Sequence, residues 1–268
     1  MSYQLIALDL DGTLLNEKKQ ISDRNKSAIL KAREQGKQVV IATGRPLAGI
    51  RHMLEELEMT SENDFVIAFN GALVQNVKTG EAILKSHVTH EDYAELYRLS
   101  LVLDVHIQAL TESYVTTPVY NPYTEIEASL NGIKLDVCPV HEVPKFETLI
   151  KVMMVDAPEK LDRVLHQLPD WVKEKYTIVR SAPIFLEFLH PSVNKGVGVA
   201  AVADLKKINR ENVICVGDAD NDMAMVTYAG LGVAMGNAIE ALKDAANHIT
   251  DTNERDGVAQ VIENYMIA

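Results

Sequence analysis

Leu5-Ile6-Ala7-Leu8-Asp9-Leu10-Asp11-Gly12-Thr13-Leu14 is the stretch from which the fold can be read. Four apolar residues in a row, with no alternation, fit a strand buried on both faces, as in a parallel sheet covered by helices. Two carboxylates, Asp9 and Asp11, then stand just beyond the strand's carboxyl end. In open α/β sheets that edge is where ligands bind. Asp and Gly also make ordinary turns, so the pair acquires meaning only if its surroundings supply matching parts.

Working outward, the same texture recurs. Ser22 is placed to cap a helix carrying Ile29, Leu30 and Arg33 and ending at Gly36. Val39–Ala42 is the next buried strand, Pro46 stands where a helix can begin, and Phe65–Phe69 is a third strand. Near the other end, Val213–Val216 and Gly232–Ala234 read as strands, with helical patterns over 221–229, 238–246 and 256–266. Alternating strands and helices define an α/β, doubly wound parallel-sheet domain built from both ends of the chain. The middle differs. Ser113–Thr117, Leu149–Val155 and Tyr176–Arg180 read as strands in a less regular order, with a helix opened by Pro158-Glu159. The expected division is a core of residues 1–83 and 187–268 interrupted by an inserted α+β cap, 84–186. Linkers near 83 and 187 would let the cap open and close.

Composition sets limits. The 268 residues hold 26 Lys+Arg against 38 Asp+Glu, a net charge of −12, with 47% hydrophobic residues. Disorder is excluded. The acid excess argues against non-specific nucleic-acid binding, which needs basic groups to replace phosphate counterions. Cys138 and Cys215 have neither disulfide-framework nor zinc-site spacing. The first residues lack the pattern of a secretory signal, and no apolar run reaches the ~20 residues that span a bilayer. The expectation is a cytoplasmic protein without membrane or nucleic-acid partners. Its oligomeric state is not readable.

Three further segments match the first. In Ile41-Ala42-Thr43-Gly44-Arg45-Pro46 a hydroxyl and backbone N–H groups at a strand-to-helix junction suit an anion. Thr43 and the Gly44 amide are placed to hold a phosphoryl oxygen, with the Arg45 charge nearby. Lys195 stands at the entrance to the apolar helix Val197–Leu205. In Val216-Gly217-Asp218-Ala219-Asp220-Asn221-Asp222, Asp218 and Asp222 can face one ligand across roughly one helical turn. Hard oxygen donors without Cys or His suit Mg²⁺ better than zinc. Asn70-Gly71 after the third strand reads first as a turn, and substrate contact by either residue is a second reading. His87, His90, His106 and His141 are isolated and carry no assignment.

Taken in order, the four segments resemble the four motifs of the haloacid dehalogenase (HAD) superfamily of phosphatases, and the insert resembles the large C2-type cap of its Cof subfamily. The runs Phe69–Ala72, Ile150–Met154 and Val172–Tyr176 resemble a bacterial sugar phosphatase of that subfamily. The resemblance implies that Asp9 is a nucleophile and Asp11 a general acid/base. It implies that Thr43, Gly44, Lys195 and Asn221 bind phosphate, and that Asp9, Asp11 (through its backbone carbonyl), Asp218 and Asp222 hold or support Mg²⁺. The implied activity is hydrolysis of small phosphorylated metabolites, with sugar phosphates expected. A phosphosugar mutase and a phospho-accepting or binding module without turnover are the alternatives.

Overall fold

The structure, a computed structural model, describes residues 3–267. In chain order it begins with β1 (Leu5–Leu8), α1 (Asp23–Glu34), β2 (Gln38–Ala42), α2 (Leu47–Glu56), β3 (Phe65–Ala68), β4 (Leu73–Asn76) and β5 (Ala82–Lys85). The middle of the chain forms α3 (His90–Val102), β6 (His106–Leu110), β7 (Tyr114–Thr117), α4 (Pro122–Asn131) and β8 (Lys134–Val137). It continues with β9 (Lys151–Val155), α5 (Pro158–Gln167), α6 (Asp170–Lys175), β10 (Thr177–Ala182) and β11 (Phe185–Leu189). The last part is α7 (Lys195–Leu205), β12 (Val213–Gly217), α8 (Met223–Tyr228), β13 (Leu231–Ala234), α9 (Glu240–Ala245), β14 (His248–Ile249) and α10 (Gly257–Tyr265).

The first and last parts share one eight-stranded sheet in the order β14-β13-β12-β1-β2-β3-β4-β5. From β14 to β3 every pairing is parallel. Every residue of β1 and β12 is buried, which is why both read as unbroken apolar runs. The strand order reverses at β1, whose neighbours are β2 on one side and β12 on the other. Such a reversal opens a crevice at the strands' carboxyl ends, and Asp9 follows β1 directly. Ser22 caps α1 by accepting a hydrogen bond from the Asn25 backbone N–H.

Two features depart from the reading. The antiparallel strands β4 and β5 extend the sheet beyond β3. Their sequence carries no clear strand pattern because Gln75 and Asn76 interrupt the apolar run, although both are buried. The turn expected at Asn70-Gly71 is present, as a 3-10 turn over Phe69–Gly71 that sends the chain from β3 back into β4. The helix expected over 221–229 is split into a 3-10 turn, Asp220–Asp222, and the short α8.

The middle of the chain makes a second compact unit around a six-stranded mixed sheet, β10-β11-β9-β6-β7-β8, in which only β7 and β8 pair in parallel. One sheet face packs Val152, Met154, Ile107 and Phe188 against Tyr93, Leu96, Leu161 and Val172 of the helices. A boundary at residue 187 would fall inside β11, whose ladder partners on β9 and β10 all belong to this unit. The second unit accordingly runs over Ser86–Val193, and the short segment Arg45–Ile50 groups with it.

Asp92 ties α3 to α6. Its carboxylate accepts hydrogen bonds from the Thr89 backbone N–H at 2.8 Å and the Tyr176 hydroxyl at 2.8 Å, and it pairs with Lys175 at 2.7 Å. Burial alone would raise its pKa, but Lys175, Thr89 and Tyr176 outweigh that and bring it to about 2. A carboxyl depressed on folding stabilises the fold above its unfolded pKa, and that contribution is lost as pH falls through the folded value. Between roughly pH 4 and pH 2 the wild type should therefore lose stability that Asp92→Asn does not have to lose. The variant should melt lower at neutral pH, by on the order of 1 kcal/mol after solvent screening. The gap should close in acid, as thermal melts at both pH values would report.

Candidate active site

Asp9 sits at the mouth of the strand-order reversal, 6% exposed. Facing it is Lys195, which enters α7 behind its cap Asn194, a side chain accepting from the Val197 N–H. The Lys195 ammonium is fully buried, 2.6 Å from Asp9 Oδ1 and 2.7 Å from Asp222 Oδ1. Burial would lower the lysine pKa, but Asp222 and Asp9 more than compensate and hold it well above its ordinary value. Burial, with the nearby Asp222 and Asp218 carboxylates, pushes the Asp9 pKa well up, and only Lys195 opposes them. A carboxylate and its one counter-cation thus share a water-poor pocket, where charge interactions are strongest.

The loop after β12 completes the group. Asp222 Oδ2 accepts from the backbone N–H groups of Asp218 at 2.9 Å and Ala219 at 3.1 Å. This carboxylate therefore orders its own loop while it orients Lys195. Thr13 Oγ1 donates to Asp218 Oδ1 at 2.9 Å across 205 positions of sequence. Burial and Asp222 raise the Asp218 pKa, against the Thr13 hydrogen bond. Asp9, Asp218 and Asp222 each present a carboxylate oxygen, all within 4.8 Å of one another. Closely spaced carboxylates repel unless a cation joins them, and an all-oxygen set fits a hard divalent ion such as Mg²⁺.

Two glycines are required for these approaches. Gly12 has φ +85°, and a Cβ there would lie 2.4 Å from Asp218 Oδ2. Gly71 has φ +99°, and its Cβ would lie 2.2 Å from the Asn194 carbonyl oxygen, one residue ahead of Lys195. Gly12→Ala should leave an expressed, folded chain but displace Asp218. We expect activation by Mg²⁺ to need on the order of tenfold more metal, measured by titrating the metal against phosphate release.

The remaining predicted residues divide. Thr43 is buried and its carbonyl accepts from the Asn70 N–H at 2.9 Å, while a Cβ on Gly44 would meet the Asn70 amide at 3.2 Å. Asn221 Nδ2 donates to Asn70 Oδ1 at 3.0 Å. Asn70 therefore joins the second and fourth motif loops, a tie that the turn reading alone did not anticipate. Asp11 lies outside the buried group, its carboxylate partly exposed and 2.7 Å from Lys19 Nζ. Arg45 falls in the segment that groups with the second unit. Thr13 and Asn194 carried no individual assignment from sequence; the only hint was their adjacency to Gly12 and Lys195.

Fold and site together define a hydrolase of α/β architecture with an inserted cap and a buried carboxylate–lysine cluster at the sheet's switch point. The chain belongs to the haloacid dehalogenase-like hydrolase family, which it matches over residues 6–262. It is 41% identical over 268 residues to YxeH of Bacillus subtilis, a protein named as a phosphatase with no substrate in its name, with 99% of each chain covered. It is 32% identical over 267 residues to 5-amino-6-(5-phospho-D-ribitylamino)uracil phosphatase YcsE of the same organism, covering 100% of this chain and 97% of that one. A crystal structure of a haloacid dehalogenase-like hydrolase from Bacteroides thetaiotaomicron superposes with a TM-score of 0.86 at 35% identity, over 98% of this chain and 99% of that one. Among the described residues no helix is long and apolar enough to cross a membrane.

Proposed function

We propose that the chain hydrolyses phosphate monoesters of small metabolites through an aspartyl-phosphate on Asp9, with sugar and polyol phosphates as its substrate class. The observation that carries this reading is the buried Asp9 carboxylate, paired with Lys195 and flanked by Asp218 and Asp222 at the carboxyl edge of the sheet. A phosphate monoester resists attack because its anionic oxygens repel a nucleophile. Lys195 neutralises those oxygens, and Thr43 Oγ1 and the Gly44 N–H orient them so that an Asp9 oxygen meets phosphorus in line. The bond to the leaving oxygen breaks as the Asp9–phosphorus bond forms, and Asp11 gives its proton to that oxygen. Asp11 then takes a proton from the water that attacks the phosphorylated Asp9, releasing phosphate and restoring the carboxylate. Asp222 positions Lys195, and Asn221 steadies the phosphate loop.

Asp9 and Asp218, with Asp222 and the Asp11 carbonyl beside them, are the residues that would hold Mg²⁺. When bound, the ion supplies a Lewis acid that draws charge from the phosphoryl oxygens. The sugar or polyol assignment has two supports. Phe69–Ala72, Ile150–Met154 and Val172–Tyr176 resemble the bacterial sugar phosphatase YidA. The substrate for which YcsE is named is a phosphate ester on a ribityl chain. Purified protein should release phosphate from p-nitrophenyl phosphate and from a panel of phosphorylated metabolites, and a chelator should stop it. Absence of metal-dependent release from the whole panel would refute the reading.

A further inference from the structure

Between β3 and β4 the chain passes through three consecutive residues in the left-handed region: Phe69 at φ +50°, Asn70 at φ +57° and Gly71 at φ +99°. Glycine adopts that conformation freely, and asparagine visits it more readily than most residues. Phenylalanine does not, and a bulky residue there is a genuine outlier. A two-residue Asn-Gly turn joins antiparallel strands with positive φ at two positions only, so a hairpin does not require the third. Backbone held in such regions persists only where its surroundings over-determine it, and it gathers at functional sites.

The surroundings here are the other parts of the site. The Asn70 backbone N–H donates to the Thr43 carbonyl at 2.9 Å, and the residue is 2% exposed. Its side-chain Oδ1 accepts from Asn221 Nδ2 at 3.0 Å, across 151 positions of sequence. A Cβ on Gly44 would lie 3.2 Å from both Asn70 Oδ1 and Asn70 Nδ2, so this side chain rests against the Gly44 backbone. Gly71 passes beside the Asn194 carbonyl, one residue ahead of Lys195. One left-handed turn therefore meets the loop after β2, the loop after β12 and the entrance to α7. All of them belong to the same compact unit as Asp9.

A carboxamide nitrogen carries two protons. With one of them donated to Asn70, the plane of the Asn221 amide is fixed and the other proton is left for a phosphoryl oxygen. Without that tie, only the 3-10 turn Asp220–Asp222 holds Asn221, and its side chain is free to change rotamer. We propose that Asn70 is a positioning residue for the hydrolysis: it acts through Asn221, aiming that amide at the same phosphoryl group that the Gly44 N–H meets. The left-handed turn is what carries the Asn70 side chain between the two loops. The proposal rests on the phosphatase reading above.

The test uses the Mg²⁺-loaded full chain with p-nitrophenyl phosphate as substrate and inorganic phosphate as inhibitor. Asn70→Gly removes the side chain and suits the positive φ, whereas Asn70→Ala removes it and keeps the strain. The glycine variant should therefore melt above the alanine variant. In both, kcat/KM should fall at least about tenfold, mainly through KM, and inorganic phosphate should inhibit correspondingly less well. A double-mutant cycle with Asn221→Ala supplies the second readout. Because Asn70 acts through Asn221, adding the Asn70 change to Asn221→Ala should cost less than about threefold further. Melting temperatures identify any variant that fails to fold, and whichever Asn70 variant folds carries the cycle. A smaller loss in a folded Asn70 variant would overturn the proposal. So would activities that follow the two melting temperatures, or losses that multiply in the double variant. Failure of the wild type on all phosphate esters would instead remove the phosphatase reading beneath it.

Discussion

Asp9→Asn should reduce phosphate release by at least about 10⁴-fold, the scale of loss when a covalent nucleophile is removed. The amide is nearly isosteric with the carboxylate, so the variant should express and fold. It cannot form the phosphoryl ester, because an amide oxygen is a poor nucleophile and its nitrogen carries no free lone pair. The hydrogen bond with Lys195, now 2.6 Å to Asp9 Oδ1, can persist with the amide oxygen as acceptor. Binding should therefore survive better than turnover, and inorganic phosphate should still protect the variant against thermal unfolding in the presence of Mg²⁺. A second readout fixes the chemistry. Rapid acid quench of the wild type with a labelled monoester should trap a phosphorylated chain labile to hydroxylamine, and Asp9→Asn should trap none. Turnover within tenfold of wild type in Asp9→Asn would overturn the nucleophile assignment.

How much of this site could be read from sequence depends on the distance over which each residue finds its partners. Asp9 and Asp11 were legible because a buried strand and the turn after it are contiguous in sequence, and the turn's position at a sheet edge follows from the α/β pattern. Lys195 was a weaker signal. A lysine declares itself buried only through its counter-charges, and these lie 186 and 27 positions away. The support from Thr13 to Asp218 spans 205 positions and leaves no local trace. The fit of Gly12 beneath Asp218 is of the same kind: the sequence shows a glycine, and only the folded chain shows what would collide with a side chain there. In the cap, Leu149–Val155 reads as a buried strand even though Lys151 stands inside it. Glu187, arriving 36 positions later, is the counter-charge that accompanies the lysine into the interior. The expected boundary at 187 failed for a related reason, since a strand end cannot be located without its ladder partners.

Lys195→Met should damage both stability and turnover, and for separable reasons. The wild-type ammonium lies between Asp9 Oδ1 and Asp222 Oδ1 and is wholly buried. Methionine fills the volume but leaves two buried carboxylates facing each other with no cation. Breaking a buried pair in this way typically costs about 3–5 kcal/mol, roughly 10 °C of melting temperature for a chain of this size. Turnover should fall as well, because the phosphoryl oxygens lose their fixed positive charge and Asp9 loses its orientation. Adding Asp222→Asn separates the two effects. The amide oxygen it introduces can still accept from the loop N–H groups that now bond Asp222 Oδ2, and one of the two opposed charges is gone. The double variant should regain a large part of the melting temperature lost by Lys195→Met while its turnover stays lost. Recovery of turnover together with stability would mean that Lys195 acts only by neutralising its neighbours. Recovery of stability alone places the lysine's charge on the substrate.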